Sequence, residues 1–370
     1  MPEYYIGLMS GTSMDAIDAV LINCSNNNVK LVANHSQELS LETRQKITEL
    51  CIGCDDELKK MLSLDTELAI QFANCANALL KKSNIGHKDI IAIGSHGQTL
   101  RHYPNSPINN SLQIANPNII TELTGITTIA DFRRRDMAVG GQGAPLVPAF
   151  HEKVFRKENQ NTVVLNIGGI ANITVLPADI TKDVIGFDTG PGNGLLDAWI
   201  QNQKQQNYDD NGSWAASGTA NDELLKLFLT EPYFQLPYPK STGRELFNIG
   251  WLNKMLGNNN HTLPAEDVQA SLVELTTHSI TAEINALPFS IDRVLVCGGG
   301  AQNDYLMARL QSQLGAVSVS TTATESIEPE WVEAMAFAWL AKQTRNNLAG
   351  NIPSVSGANK AVILGAIYSA

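Results

Sequence analysis

Short apolar runs alternate with longer amphipathic stretches along this chain. Two β-prone pairs stand out, residues 4–8 with 19–22 and residues 162–167 with 173–176, and each pair encloses a glycine-containing polar segment. Each pair therefore predicts a strand, a tight turn and a second strand. The two hairpins lie about 160 residues apart, a spacing that favours a duplicated domain over a solenoid.

Between and after the hairpins, apolar residues recur at helical spacing or in short buried runs. The pattern predicts helices over residues 41–54, 56–81, 267–287, 304–314 and 331–341. It predicts further strands over residues 90–94, 126–131 and 293–297. The polar stretch 201–221 is interpreted as a loop or an irregular insertion. Strands that alternate with helices indicate α/β layering.

Length and composition narrow the class of protein. A chain of 370 residues exceeds what one core usually organises, so two domains are expected. Apolar content of 43% and charged content of 17% are typical of an ordinary soluble globular protein. The net charge of −11 disfavours nucleic acid and anionic membranes as partners, since both require a basic face.

The chain shows no sign of export. Its N-terminus has neither a basic region nor a long apolar stretch, so we expect no signal peptide, and no run approaches the roughly 18 apolar residues of a membrane span. Five scattered cysteines fit a reducing cytoplasm. Cys51 and Cys54 form a CxxC pair, but zinc needs a second pair and a redox motif would follow a strand, so we expect neither role.

Asp188 is the most informative residue. The run 184–193, VIGFDTGPGN, places one carboxylate after a short apolar strand, in a glycine-rich turn, with a helix-like run at 195–200. A carboxylate beside bare backbone N–H groups and a helix start can act as a general base near a bound phosphate. With an ordinary pKa of about 3.9, it would already be ionised.

Three other glycine turns fit phosphate or nucleotide binding, and each also fits a plainer role. Residues 11–15 and 168–172 read either as simple hairpin turns or as phosphate loops, which together could clasp a triphosphate. Asp15 would then lie near a hydrated magnesium ion. Residues 298–300, three glycines between a strand and a helix, could hold adenosine, although their spacing fails the dinucleotide pattern.

A second set of polar residues suggests a pocket for an acidic substrate. The cluster 131–136, DFRRRD, is usually a solvated turn with local ion pairs, but a glycine-rich stretch follows it, and arginine can hold a carboxylate with two hydrogen bonds. His96 lies at a strand end, and Glu333 is the odd polar residue in an apolar helix. Residues 240–245, KSTGRE, could begin a capped helix or supply cations near a phosphate.

Taken together, these residues resemble the anhydro-N-acetylmuramic acid kinases from Gly7 to the C-terminus. The most specific strings are GLMSGTSMDAID, GSHGQT, GITTIADFRRRDMAVGGQGAPLVPAFH, NIGGIANIT, GFDTGPGN, KSTGRE, CGGGAQN and WVEAMAFAWLA. The chain departs from the family's usual pattern at Ala16, where Gly is common, and at Ala115–Asn116, where Gly-Asp is usual before the proline.

The resemblance implies an α/β fold of two actin-like (ribonuclease H-like) ATPase domains flanking a central cleft. We place the N-terminal domain at residues 1–130 plus about 350–370, and the C-terminal domain at 131–349. The implied reaction converts 1,6-anhydro-N-acetylmuramic acid, ATP and water into N-acetylmuramic acid 6-phosphate and ADP, in peptidoglycan recycling. The resemblance also implies a need for Mg2+ and a homodimer.

The site residues implied fall into three groups. Asp188 is the catalytic base, and Asp15 binds the metal through water. ATP is bound by Gly11, Thr12, Ser13, Met14, Asp15, Ala16, Ile17, Asp18, Gly168, Gly169, Asn172, Gly190, Gly192, Asn193, Gly298, Gly299 and Gly300. The sugar is bound by His96, Gln98, Asp131, Arg133, Arg134 and Glu333.

Three alternatives remain open at the level of sequence. A different sugar kinase on the same fold would use Asp188 to deprotonate a free hydroxyl. An ATP-gated binding module resembling the chaperone ATPases would need a further peptide-binding domain, for which we expect no room in 370 residues. The third alternative is a binding protein that does not bind a nucleotide.

Overall fold

The computed structural model describes residues 2–11, 14–104, 109–257 and 263–370. The chain divides into two compact units, which are described separately below. Unit 1 falls within residues 1–154 and 331–370, and unit 2 within residues 155–330.

The strands and helices are numbered along the chain. In chain order, the strands are β1 (Tyr4–Met9), β2 (Ala16–Asn23), β3 (Lys30–Glu38), β4 (Ile90–Ser95), β5 (Gln98–Tyr103), β6 (Asn110–Ile114), β7 (Thr128–Ala130), β8 (Thr162–Ile167), β9 (Ile170–Leu176), β10 (Ile185–Pro191), β11 (Arg293–Cys297), β12 (Ser318–Thr321) and β13 (Ala366–Tyr368). The α-helices are α1 (Leu41–Ile52), α2 (Glu57–Ser83), α3 (Pro117–Thr124), α4 (Phe132–Met137), α5 (Pro148–Phe155), α6 (Asn193–Lys204), α7 (Ser213–Ser217), α8 (Asp222–Phe228), α9 (Ile249–Gly257), α10 (Ala265–Asn285), α11 (Asp304–Leu314), α12 (Val332–Arg345) and α13 (Pro353–Ser356).

Each unit has its own sheet, and the two sheets share one arrangement of strands. In unit 1 the strand order is β13-β7-β4-β1-β2-β3, and in unit 2 it is β10-β9-β8-β11-β12. In both, the first three strands form an antiparallel meander, and two later strands add in parallel to the first strand's other side. This shared arrangement confirms the predicted duplication and the predicted α/β, ribonuclease H-like fold class.

Helix α12 lies very close to the sheet of unit 1. A Cβ atom on Gly7 of β1 would overlap the carbonyl oxygen of Ala334, and one on Gly94 of β4 would overlap that of Phe337. Glycine is therefore required at both positions for the helix to approach. This close packing fixes Glu333, near the start of α12, relative to the carboxyl ends of β1 and β4.

The domain boundaries differ from those predicted. Residues 131–154 lie in unit 1 because the buried Asp136 on α4 accepts hydrogen bonds from Asn351 and Ser356 at 2.6 and 2.7 Å. Residues 331–349 also lie in unit 1 because α12 packs on the sheet there. The composition of the chain gives no break at 154 or 330, since both points fall within or beside helices.

The predicted hairpins, helices and central strands are present, with bounds that shift by a few residues. The loop predicted over 201–221 is wrong in part, because α6 continues to Lys204 and α7 begins at Ser213. The carboxylate of Asp209 supports α7 by accepting the N–H groups of Trp214 and Ala215 at 2.9 Å each. Within the described residues, no helix is both long and apolar enough to cross a membrane.

Candidate functional site

Asp188 lies within β10 rather than after it. The strand continues to Pro191, and its pairing with β9 shifts register between Asp188 and Gly190. Such an irregularity re-aims side chains on an edge strand. The carboxylate Oδ2 of Asp188 accepts hydrogen bonds from the Ser241 hydroxyl and the Thr242 N–H, both at 3.0 Å. The predicted position in a glycine-rich turn is therefore corrected to one within a strand, where two hydrogen bonds hold the carboxylate.

The main chain around Asp188 is fixed as well. The Asp188 N–H donates to the carbonyl oxygen of Lys240 at 3.0 Å, and the Tyr233 hydroxyl donates to the carbonyl oxygen of Asp188 at 2.6 Å. The Lys240 ammonium is buried in an ion pair with Glu283 at 2.6 Å and lies 4.9 Å from the centre of the Tyr233 ring. Lys240 thus anchors this segment, and it neither starts a helix nor faces a phosphate.

The pKa of Asp188 differs from the predicted one. Burial, with a smaller contribution from the negative charge of Glu245, raises the pKa of this carboxyl to about 6, even though the hydrogen bonds from Thr242 and Ser241 act to lower it. The expected pKa of an ordinary aspartate is therefore wrong here. A base whose pKa lies just below neutrality is mostly ionised in the cell and still strong enough to take a proton.

In unit 2, the start of α6 closes on the hairpin turn between β8 and β9. The N–H groups of Gly192 and Gly194 donate to the carbonyl oxygen of Gly169 at 3.0 and 3.1 Å, and that of Asn193 donates to Gly168 at 2.7 Å. These N–H groups are therefore taken by the protein, contrary to the predicted phosphate-binding helix start. A Cβ on Gly192 would overlap the Gly168 carbonyl oxygen, which explains this glycine by packing.

The remaining nucleotide residues predicted in unit 2 gather around the same end of β8. A Cβ on Gly298, whose φ is 78°, would overlap the Asn166 side chain, and one on Gly300 would overlap Ile167. Gly299 alone of the three glycines is exposed, and the nearest side chain to its Cβ position is Asn193, at 3.7 Å.

Two further residues predicted to bind ATP lie beside Asp188. Asn172 on β9 is its direct cross-strand partner. Gly190 has a φ of 148°, and a Cβ there would press on Phe234 and Ser279, so its glycine is also required by packing.

In unit 1, a buried glutamine holds the turn between β1 and β2. Gln98 accepts a hydrogen bond from the Ser10 hydroxyl at 2.8 Å and donates through Nε2 to the carbonyl oxygens of Gly11 and Thr99, at 3.4 and 3.3 Å. Its amide is thus satisfied by protein atoms, so Gln98 positions the turn instead of facing a sugar. Thr12 and Ser13, both predicted to bind ATP, lie outside the described residues.

The residues after this turn have distinct environments. Met14 has a φ of 60°, and its N–H donates to Gly11 at 3.2 Å. Ile17 is fully buried in the core of unit 1, so its side chain cannot line a phosphate loop. Ala16 is half-buried at the start of β2, and its methyl group stands where the family commonly has glycine.

Two carboxylates follow the same turn along the chain. Asp15 is exposed and lies 3.6 Å from the Arg44 guanidinium. Asp18 accepts a hydrogen bond from Ser36 at 2.7 Å, and burial raises the pKa of its carboxyl. No cluster of three or more acidic, histidine or cysteine ligands occurs in the part of the chain that the structure describes.

The buried His96 and the half-buried Arg133 form a pair in unit 1. The His96 Nδ1 lies 2.8 Å from the carbonyl oxygen of Gly97, so this nitrogen carries the proton. Its Nε2 then accepts from Arg133 Nε and Nη2 at 3.1 and 2.8 Å. Burial and the adjacent Arg133 charge lower the pKa of His96 to about 3, which keeps the imidazole neutral. His96 positions Arg133, and both of its nitrogens are occupied.

Arg133 remains a cation at the centre of this cluster. Its Nη1 donates to the carbonyl oxygen of Gly143 at 2.8 Å. Burial lowers its pKa to about 10, while the charges of Glu333 and Asp136 oppose that shift. Arg133 and Glu333, which the sequence separates by two hundred residues, are therefore brought together, as the predicted sugar site requires.

Arg134, unlike its neighbour Arg133, lies at the surface. Arg134 is exposed and pairs with Asp131 through two contacts, Nε to Oδ1 at 2.7 Å and Nη2 to Oδ2 at 2.6 Å. These two residues form the local ion pair of a solvated turn, which is the plainer interpretation of the cluster. Neither shares a contact with His96 or Arg133 among the described hydrogen bonds and ion pairs.

Four residues with a part in these arrangements are not predicted from the sequence. Ser241 and Thr242 belong to the KSTGRE string, but nothing in their spacing links them to Asp188. Arg244 is exposed, with its Nη2 only 3.5 Å from the Cβ position of Gly169. Asp136 fastens the glycine-rich stretch, since its carboxylate accepts the Gly143 N–H at 2.8 Å. Its place directly after the arginines was the available signal.

Comparison with known proteins gives a consistent result over the whole chain. The family model described as anhydro-N-acetylmuramic acid kinase matches residues 3–370. A protein of that name from Shewanella denitrificans is 51% identical over 369 residues, covering 100% of this chain and 99% of its own length. One from Coxiella burnetii is 50% identical over 366 residues, covering 99% and 97%. A third, from Shewanella sediminis, is 50% identical over 368 residues, covering 100% and 99%.

Proposed function

This chain belongs to the anhydro-N-acetylmuramic acid kinase family, and on that premise we propose how its residues carry out the family's reaction. The enzyme opens 1,6-anhydro-N-acetylmuramic acid with water and phosphorylates it from ATP, giving N-acetylmuramic acid 6-phosphate and ADP in peptidoglycan recycling. The observation that carries the proposal is the Asp188 carboxylate, which is held through Oδ2 and half-buried.

Asp188 acts as the general base. It removes a proton from the water that attacks the anomeric carbon, and the bond from that carbon to the bridging oxygen breaks. The bridging oxygen, now the sugar's 6-oxygen, attacks the γ-phosphorus of ATP, and ADP leaves. The proton on Asp188 then passes to solvent. The raised pKa of about 6 suits this cycle, because the group must first accept a proton and then lose it near neutrality.

Phosphate is bound by backbone and by one free cation. In unit 1, Gln98 holds Ser10 and Gly11 at the start of the predicted phosphate loop. In unit 2, the Gly168–Gly169 turn lies next to the exposed guanidinium of Arg244, which has no carboxylate partner within the described residues. A guanidinium is well suited to phosphate oxygens. The exposed Gly299 gives adenosine a flat backbone surface to lie on.

Mg2+ is compatible with the donors of unit 1. This ion usually keeps several waters and takes one or two carboxylates together with substrate phosphates. Asp15, which is exposed, and Asp18, which is close to it on β2, would supply that limited set. When bound, the ion would neutralise charge that develops on the phosphates during transfer.

Arg133 binds the lactyl carboxylate of the sugar. Three of its five N–H groups are used by His96 and Gly143, and a carboxylate can take the remaining two with parallel hydrogen bonds. Glu333 contributes to orienting the sugar, since its charge already acts on Arg133. The neutral His96 fixes the guanidinium without competing for the anion.

The wider setting is a cytoplasmic homodimer. All five cysteines are free, which suits a reducing compartment. The dimer follows from the family resemblance and is tested by light scattering of the purified protein.

The reaction is tested by incubating the protein with ATP, Mg2+ and anhydro-N-acetylmuramic acid in water enriched in oxygen-18. We expect the 6-phosphate with one solvent oxygen at the anomeric carbon. A phosphorylated product without solvent oxygen would instead identify a kinase that acts on a free hydroxyl.

Two variants assign the residues. Asp188→Asn should keep ATP and sugar binding by calorimetry and lose turnover by about three orders of magnitude or more, whereas the exposed carboxylate variant Asp222→Asn should not. Arg133→Ala should raise the KM for the sugar about a hundredfold, and Arg134→Ala less than about threefold. Near-normal turnover in Asp188→Asn would remove that residue from the mechanism.

A further inference from the structure

The Asp188 carboxylate has two oxygens in different environments. Oδ2 accepts two hydrogen bonds, from the Ser241 hydroxyl and the Thr242 N–H, both at 3.0 Å. Oδ1 has no hydrogen-bond partner within the described residues. A carboxylate fixed through one oxygen can present the other in a single direction, as a positioned base requires.

We propose that Ser241 is the positioning residue of the base, holding Oδ2 so that Oδ1 takes the proton from the attacking water. This inference rests on the proposed role of Asp188. Ser241 is suited to the task because its backbone neighbours are themselves tied to β10. Lys240 accepts the Asp188 N–H, and Thr242 donates its own N–H to Oδ2. The segment 240–242 therefore follows the base as one piece.

The charges around Asp188 define how its protonation responds. Glu245, three residues beyond Thr242, disfavours the ionised carboxyl, and the hydroxyl of Ser241 favours it. Lys240 and Glu283 form a mutual ion pair, so their charges offset each other near the site. Tyr233 stays protonated, since burial and the charges of Asp188 and Glu283 raise its pKa. Ser241 and Glu245 are thus opposing controls on the same group.

The sign of each substitution follows. Removing the Ser241 hydroxyl takes a hydrogen bond from the charged form, so Asp188 becomes a weaker acid and the acid limb of activity moves to higher pH. Removing the Glu245 charge favours the charged form, so the limb moves to lower pH. A hydrogen bond to a charged group corresponds to a shift of about one pH unit, and a solvent-exposed charge to a few tenths.

The experiment measures kcat and kcat/KM from pH 5 to 9 for four variants. Ser241→Ala should move the acid limb up by about one unit and lower the plateau kcat about tenfold, with KM for ATP nearly unchanged. Ser241→Thr, which keeps a hydroxyl, should restore most of both. Glu245→Gln should move the limb down, and Ser290→Ala, an exposed serine of unit 2, should change nothing. Carbon-13 NMR of labelled aspartate, assigned with Asp188→Asn, measures the same pKa without turnover.

The outcomes separate this inference from the proposed function. If Asp188→Asn is inactive but Ser241→Ala has a normal limb and a normal carboxyl titration, Ser241 does not position the base and Asp188 keeps its role. If Ser241→Ala and Ser241→Thr are equally impaired with an unmoved limb, the residue acts through packing alone. If Asp188→Asn turns over normally, the base assignment fails, whatever Ser241 does.

Discussion

The hairpin turns of the two units occupy equivalent places in equivalent sheets, yet they are stabilised in different ways. In unit 1, the turn after β1 is held by one side chain, the buried amide of Gln98. In unit 2, the Gly168–Gly169 turn is held by backbone, because three N–H groups at the start of α6 donate to its carbonyls. The turn of unit 1 thus depends on a single side chain, whereas the turn of unit 2 depends on hydrogen bonds between main-chain atoms.

This difference shows what a glycine motif means in each place. In unit 2, Gly192 is required because backbone approaches backbone, whether or not a ligand binds. In unit 1, the side chain of Gln98 supports the start of the turn, through the Ser10 hydroxyl and the Gly11 carbonyl oxygen. Strand order alone would have assigned the two turns the same role.

The largest expected effect is in unit 2. Gly192→Ala places a methyl group against the Gly168 carbonyl and should cost about 3 kcal/mol of stability, since backbone cannot yield as a side chain can. Urea denaturation followed by circular dichroism measures it. Gly257→Ala is the control, because a Cβ there meets open space. Equal stability of the two variants would contradict the close packing of Gly192 against the Gly168–Gly169 turn.

The matching change in unit 1 is Gln98→Ala. It leaves the Ser10 hydroxyl without its buried acceptor and should cost about 2 kcal/mol. If the turn binds phosphate, the KM for ATP should also rise about tenfold while the KM for the sugar changes less. Gln45→Ala, an exposed glutamine on α1, is the control. An unchanged KM for ATP would mean that this turn tolerates the loss of its support.

A smaller effect of opposite sign is expected beside the turn of unit 2. The Asp188 carboxyl has a higher pKa folded, about 6, than unfolded, 3.8, so the folded protein loses stability as pH rises between these values. Asp188→Asn removes that loss and should stabilise the protein by about 1–2 kcal/mol above pH 6. The gain should fade below pH 4. Thermal unfolding at pH 4, 6 and 8 tests this, with Asp222→Asn as control; a gain independent of pH would refute it.

The smallest effect is at Ala115, which directly follows β6 in unit 1. Ala115 has a φ of 103°, a conformation that favours glycine. Ala115→Gly should therefore stabilise the protein by about 1 kcal/mol. Ala282→Gly, on the exposed face of α10, should cost about as much. Thermal unfolding of both variants compares them, and destabilisation by both would show that Ala115 is unstrained.

The sequence predicted more of the fold than of the site. The hairpins and α11 were found because apolar periodicity is local, and the duplication followed from their spacing. Edge strands such as β3 and β12 were missed because they are half-exposed and mix polar with apolar residues. The domain boundaries were misplaced because α12 looks like any apolar helix until its glycine-bearing partner strands are known.

The site divides in the same manner. His96 was predicted from its place at a strand end, Arg133 from the arginine cluster before a glycine-rich stretch, and Glu333 as a polar residue in an apolar helix. The structure links Arg133 to both of the others. The role of each residue could not be predicted, because a histidine that supports an arginine and a histidine that binds a sugar show the same local sequence pattern. The hydrogen bond from Ser241 to Asp188 joins residues that are 53 positions apart in the sequence, and no local pattern encodes such a contact.

Unit 1 is interrupted by unit 2 along the chain, since α12 and β13 return to its sheet only after residue 330. On the ribosome, therefore, the second half of the protein can complete its core while the first still lacks the helix that covers β1 and β4. Domains usually mature in order of synthesis, and here that order is reversed. The face of the unit 1 sheet that α12 covers therefore stays open until residues 332–345 have been synthesised.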